Sequence, residues 1–379
     1  MSVLPTISTV LGALILMAVL TDLIVTTIVP SGGAGPMTRK LGTTLWRGIL
    51  VLHRRRGAHR ALRAAGPFIL VTIITLWLVG LIAGWALVFG QEGSVVDVQS
   101  GEPSASFGKV HFAAATILGR GATDFTPGSD FWRALEGIAA GTGVALVGLS
   151  IAYILPIVGA VVQKREVASY IGSLGGTPDE ILVRAWDGES FGSLHLHFIA
   201  LTPLINRLAQ NHLAYPILHY FHSGERFTAL GPSIVVLDET LTFAVEAMDE
   251  SATLDPSSVR PCRAAVDGFL RTLTRVAIVS ADEPVPPPAF DEYRDKDLPL
   301  RDREEIQRRY EDLKDRRCLL AGFLEHDGWT PEETRSWAPP GWADGGDDPR
   351  REGIDDRSDE ERAQDDRATT EDTSAVGGS

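Results

Sequence analysis

Cysteine is nearly absent, and charge is missing altogether from three long stretches. Cys262 and Cys318 are the only cysteines among 379 residues. Neither sits in a CxxC pair or beside paired histidines, which excludes a disulfide scaffold and a structural zinc as organising principles. No GxGxxG follows a strand pattern, no nucleophile stands with a base, and no phosphate-binding loop is visible. The chain is therefore expected not to be an enzyme, to hold no cofactor or metal, and to bind no nucleic acid. Met1 to Thr21, Pro67 to Phe89 and Gly137 to Val162 contain no Asp, Glu, Lys or Arg, whereas Asp344 to Ser379 holds 13 acids and 5 arginines. Averages of 44% hydrophobic and 22% charged residues with a net charge of -14 conceal that segregation. The sequence reads as a membrane half joined to a soluble half.

A helix must run about 20 apolar residues to cross about 30 Å of hydrocarbon, because lipid offers the backbone no hydrogen-bond partners. Three runs qualify: Leu4 to Val29, broken only by Asp22; Pro67 to Phe89; and Trp132 to Val162. A cleaved signal peptide competes for the first run, but no Lys or Arg precedes it and it exceeds a usual signal core. Asp22 is costly at the bilayer centre, so it should face a partner or water, or lie near the inner interface. A structural tie to the following basic segment is the preferred role, with ion coordination as the alternative. Between the first two runs lie Arg39, Lys40, Arg47, Arg54, Arg55, Arg56, Arg60 and Arg63 with no acid, so that segment is expected in the cytoplasm. The N-terminus is then outside and the C-terminal half inside, in a bacterial inner membrane.

The segment between the second and third runs is unusual for an outer loop. Val110 to Leu118 (VHFAAATIL) is apolar but too short to span, and glycines and then Asp124-Phe125-Thr126-Pro127 follow it. This pattern predicts a half-helix that enters the membrane and returns. Such backbone is tolerated at depth only where protein buries it or where it lines a watery path. Gly119 and Gly121, alternate residues free to take positive φ, would let successive carbonyls turn toward one axis and replace an ion's water shell. A plain turn is the bland alternative for a lone GxG.

Over Pro67 to Val162 the chain resembles the tetrameric potassium-channel family, which has one re-entrant loop between two helices and a filter reading TTVGYGD or TTLGFGD followed by xxP. Thr116, Ile117, Leu118, Gly119, Arg120 and Gly121 stand at the filter positions, and Asp124 and Pro127 match if Ala122 and Thr123 are an insertion. The resemblance implies an all-α membrane protein, a homotetramer in the lipid bilayer, and potassium as the transported ion. Three departures stand against it. Ile117 replaces a threonine and removes one ring of oxygen ligands. Arg120 replaces an aromatic, with Asp124 and Glu136 as candidate supporting partners for its guanidinium. The two-residue insertion alters the spacing to the mouth. In the third run Gly141, Gly143, Gly148 and Pro156, with Gly159, offer a gate hinge or equally a surface for close helix packing. Rival readings are a non-conducting scaffold or sensor built on a degenerate pore, and a pore of other selectivity.

A first transmembrane helix is expected over 1–30, a basic cytoplasmic loop over 31–66, and a pore domain over 67–163 with its re-entrant loop at 108–128. A helical cytoplasmic domain is expected over 164–280, a Pro-rich linker over 281–298, a charged helical segment over 299–340, and a disordered acidic tail over 341–379. Helix starts are expected at Thr177-Pro178-Asp179-Glu180 and Asp255-Pro256-Ser257-Ser258. His195, His197, His212, His219 and His222 cluster in sequence, which leaves metal binding, pH sensing and plain packing as readings.

Overall fold

The computed structural model describes residues 3–29, 33–56, 59–121, 124–249, 254–276, 278–287 and 298–331. The Ala122-Thr123 insertion, part of the Pro-rich linker and the acidic tail lie outside the described residues. The helices are α1 (Val3–Ile28), α2 (Pro36–Arg56), α3 (His59–Val88), α4 (Ser106–Ile117), α5 (Asp130–Leu174), α6 (Pro178–Ala185), α7 (Leu194–Ala214), α8 (Leu230–Thr242), α9 (Pro256–Val276), α10 (Arg303–Asp312) and α11 (Lys314–His326). Two three-residue strands, β1 (Val95–Asp97) and β2 (Phe125–Pro127), pair antiparallel and depart from the all-α expectation.

Among the described residues three helices are long and apolar enough to cross a membrane: Pro5–Ile28, Ala61–Val88 and Asp130–Leu174. The chain is a membrane protein of several spans followed by a largely helical region. α5 has 45 residues, about 67 Å at 1.5 Å per residue and more than twice the hydrocarbon thickness. It runs unbroken past Val162, so the expected third span is the first part of a longer rod that continues into the helical region.

Small residues bring α1 and α3 together. A Cβ on Gly12 would lie 2.6 Å from the Gly84 carbonyl, one on Gly80 2.6 Å from Val19, and one on Gly84 2.8 Å from Leu16. Gly80 and Gly84 sit four apart, so both face α1, and the backbones approach as small-xxx-small pairs do in membranes. Farther along, the Trp85 indole donates to Thr142 Oγ1 at 3.1 Å and links α3 to α5.

The stretch expected as a basic loop contains a 21-residue helix, α2, and Asp22 sets where it begins. Asp22 is fully buried. Its carboxylate accepts the Met37 N–H at 2.8 Å, the Thr38 N–H at 3.2 Å, the Thr38 hydroxyl at 2.6 Å and the Trp77 indole N–H at 2.9 Å. The first N–H groups of a helix have no partner within it and carry its positive dipole end, so a carboxylate there satisfies donors and field together. A side chain on Gly35 would overlap that carboxylate, which explains the glycine. The tie between Asp22 and the basic segment is thus a helix cap delivered from α1, braced by Trp77 of α3.

In the helical region α8 is buried along its whole length and carries two acids, Asp238 and Glu239. Arg316 and Arg317 of α11 reach them. Arg316 Nε donates to Asp238 at 3.0 Å and its guanidinium also meets Asp267, while Arg317 Nε donates to Glu239 at 3.0 Å and lies 5.0 Å from the centre of the Tyr310 ring. The charged helical segment expected over 299–340 holds two helices in its described part. The chain turns at Leu313 (φ -97°, ψ 9°), which lets α11 swing its arginines onto α8. Burial pushes the Glu239 carboxyl up to about 7 despite the Arg317 guanidinium beside it.

Asp22→Ala is expected to cost about 3 kcal/mol, since it strands buried donors on α2 and Trp77, whereas Asp22→Asn keeps an acceptor and loses less. Thermal unfolding in detergent measures the difference.

Candidate functional site

The segment between α3 and α5 is built around α4. Phe112 packs edge-on against Phe89 with ring centres 5.1 Å apart. Lys109 Nζ donates to the carbonyls of Gly90 at 3.0 Å and Gln91 at 2.8 Å, just past the end of α3. The β1–β2 ladder pairs Val95 with Pro127 and Asp97 with Phe125, and so closes the loop on both sides of α4. Gly108 permits the Phe125 ring to lie on the first turn of α4, where a Cβ would come within 2.7 Å.

α4 stops in a defined way. The Gly119 N–H donates to Thr116 O at 3.1 Å and the Arg120 N–H to Ala115 O at 2.9 Å, with Gly119 at φ 70°. That pair of bonds is the common left-handed helix stop, for which glycine is the favoured residue. Gly121 also has positive φ, at 67°. Of the six expected filter residues, Thr116 and Ile117 are buried, while Leu118, Gly119, Arg120 and Gly121 are exposed in the single chain. The Thr116 hydroxyl has no hydrogen-bond partner among the described residues.

The end of α4 rests directly on α5. A Cβ at Gly143 would overlap the Ile117 carbonyl, so this glycine serves close packing. Gly141 and Gly148 meet nothing within 4 Å and neither does Gly159. They share an exposed apolar face with Val144, Ile151 and Leu155. Pro156 lies inside α5 without ending it. Asp124 is exposed and Glu136 half-buried. Among the described residues neither forms an ion pair with Arg120, whose nearest expected partners are thus not engaged within one chain.

The histidines divide into two groups. His197 faces Tyr170, whose hydroxyl lies 3.1 Å from Nδ1, and His195 contacts its own helix start at Gly192 O. His212, His219 and His222 gather instead at the far end of α5, joined by His326, which sequence separation concealed. Ring centres are 5.1 Å apart for His212 and His219 and 6.4 Å for His219 and His326. Beside them the buried Lys164 donates to Phe221 O at 2.7 Å and lies 3.8 Å from Asp327, which in turn accepts the Gly231 N–H at 3.2 Å. Among the described residues no group of three or more His, Cys, Asp or Glu is arranged to hold a metal. Burial, reinforced by the Lys164 charge, holds His212 down at about 3, and burial with the neighbouring imidazoles and Lys164 holds His219 well below its usual value. Both are neutral near pH 7, so acid would have to protonate imidazoles that burial keeps uncharged.

The helical region seats on the membrane helices through the same neighbourhood. Tyr220 lies where a Gly42 side chain would be, Phe221 lies against Gly66, and Trp46 of α2 faces Tyr220 and His326 with ring centres 5.7 and 6.0 Å away.

No family model matches the chain, and no solved structure matches it. The chain is similar to the uncharacterized membrane protein YdjJ of Bacillus subtilis (strain 168), with 28% identity over 316 residues, spanning 83% of this chain and 92% of that protein.

A neutral buried histidine contributes stability that is present above the unfolded value near 6.5 and is lost as pH falls toward the depressed folded value. The thermal midpoint should therefore fall between pH 6.5 and pH 4, and His219→Phe, which cannot protonate, should fall less over that window.

Proposed function

We propose that the chain is one subunit of a tetrameric cation channel, with potassium as the foremost ion, in which α4 enters the membrane and residues 116 to 121 line the path. The observation that carries the reading is the seating of a short apolar helix between two spans. Its last carbonyl lies against Gly143, and it is followed by two positive-φ glycines and a stretch left exposed by a single chain. Backbone of that kind needs either water or other protein around it at membrane depth. Four copies around an axis would supply both, with the open Gly141 and Gly148 face of α5 turned toward neighbours. The basic character of α2 supports an orientation with the N-terminus outside and the helical region in the cytoplasm of a bacterial inner membrane. The reading assigns no catalytic residue and no cofactor, and the chain is then not an enzyme.

A second reading, a non-conducting scaffold or sensor on a degenerate pore, is favoured by two particulars. Ile117 offers no hydroxyl to an ion, and the positive φ of Gly119 is already accounted for by the helix stop. A pore of different selectivity is the intermediate case, since four Arg120 guanidiniums would surround its mouth.

Flux from liposomes loaded with potassium, sodium or chloride tests these readings. The channel reading expects potassium flux exceeding sodium and chloride, and a gain in potassium selectivity for Ile117→Thr with Arg120→Tyr. A verified tetramer silent to all three ions, with the double variant equally silent, overturns it in favour of the scaffold.

A further inference from the structure

α2 presents two chemically distinct faces. Thr38, Gly42, Trp46 and His53 recur at helical spacing and are buried against the rest of the protein. The rest of its surface carries Arg39, Lys40, Arg47, Arg54 and Arg55, all exposed, with Lys40, Arg47 and Arg54 opposite the buried stripe, and no acid occurs anywhere in the helix. Lys40, Arg47 and Arg54 stand at seven-residue intervals, which places them on one stripe at steps of about 10 Å. Among the described residues none of these five cations takes part in an ion pair. Protein surfaces rarely leave so many like charges unanswered on one helix, and here the helix joins two spans directly. α1 ends at Ile28 and α3 starts its span at Ala61, and α2 packs on both helices, which keep an outward surface free of the rest of the chain. That surface is apolar and open at Ile24 and Ile28 of α1 and at Phe68 and Val71 of α3. On α2 itself Val51 and Leu52 are also exposed, 49% and 41%, next to the cations. Apolar side chains beside a row of unpaired cations at the edge of a bilayer match the boundary between acyl chains and anionic headgroups.

We infer that the exposed face of α2 is a docking surface for anionic phospholipid headgroups, with Lys40, Arg47 and Arg54 as its central stripe and Val51 and Leu52 entering the acyl boundary. Charge complementarity and continuity with the lipid-facing surface select this occupant over an acidic protein segment or a nucleic acid. The inference does not depend on ion conduction. A scaffold and a channel would both carry the surface. Because α2 is capped by Asp22, which Trp77 of α3 also holds, and packs on Tyr220 and His326 through Trp46, a lipid bound there would bear on the same joint that sets the helix against the spans.

The test is native mass spectrometry of the full chain in detergent, with phosphatidylglycerol and phosphatidylcholine added in equal amounts. The expected result is retention of phosphatidylglycerol over phosphatidylcholine by about fivefold or more, shrinking as ionic strength rises. Replacing Arg39, Lys40, Arg47, Arg54 and Arg55 together with Gln should abolish the preference. A control that removes the same kind of charge elsewhere, Arg260→Gln with Arg271→Gln and Lys314→Gln in the helical region, should keep it. Matching thermal midpoints of the two variants confirm that folding is intact, and if the quintuple variant unfolds, Lys40→Gln with Arg47→Gln and Arg54→Gln gives the same reading on the central stripe. Equal retention of the two lipids, a preference that survives removal of the cations, or displacement of phosphatidylglycerol by poly-glutamate or duplex DNA at equal charge would each overturn the inference.

Discussion

Within the apolar bundle of α1 and α3 one carboxylate cannot be left without partners, and the way Asp22 is satisfied governs the placement of the next helix. Water is scarce there and an unpaired charge is expensive. The chain answers with four donors, two from the backbone at the start of α2, one from the Thr38 hydroxyl and one from the Trp77 indole. Because the backbone donors belong to the first turn of a helix, satisfying the charge also fixes the place and direction of α2. The fixed start of α2 then brings Gly42 and Trp46 to Tyr220, and through them the helical region meets the membrane spans.

α5 is the second continuous connection. At one end Gly143 holds the carbonyl of Ile117, and at the other Lys164 is gripped by Phe221 O and Asp327, with Asp327 arriving from the far end of α11. No loop interrupts the rod between these points. One uninterrupted helix with Pro156 inside it thus links the α11 end to the base of α4. The buried Arg316 and Arg317 pairs tie α11 to α8 with directional, low-dielectric contacts, which suits a junction that must keep one register.

The spans were legible because hydrocarbon imposes length and charge exclusion over whole segments, and the structure places helices over all three charge-free runs. The start of α6 was legible for a local reason, since Thr177 accepts the Glu180 N–H at its N-terminus as the spacing of those residues predicts. α2 was hidden because eight basic residues dominate 31–66, while its buried face is narrow and its cap comes from another helix. The Gly12, Gly80 and Gly84 contact had a visible sign, the four-residue spacing of two glycines in an apolar run, but no sequence rule names the partner helix. At the candidate site the apolar pattern announced the short helix, whereas Gly119, read from sequence as turning a carbonyl toward an axis, ends that helix through the Gly119 and Arg120 N–H bonds. The role of Gly143 came only from the approach of Ile117, and His326 and Asp327 joined the histidine group across about a hundred residues, a separation that spacing arguments do not bridge.

The proposed pore requires main-chain oxygens between Leu118 and Gly121 to converge at a symmetry axis inside the bilayer. Electron cryo-microscopy of the full chain in lipid nanodiscs tests it most directly. A tetrameric pore would show four copies with these residues facing one another at the axis and α5 lining the space below them. Particles with fewer than four chains around an axis, or density that puts this stretch at the periphery against lipid or bulk water, would contradict it.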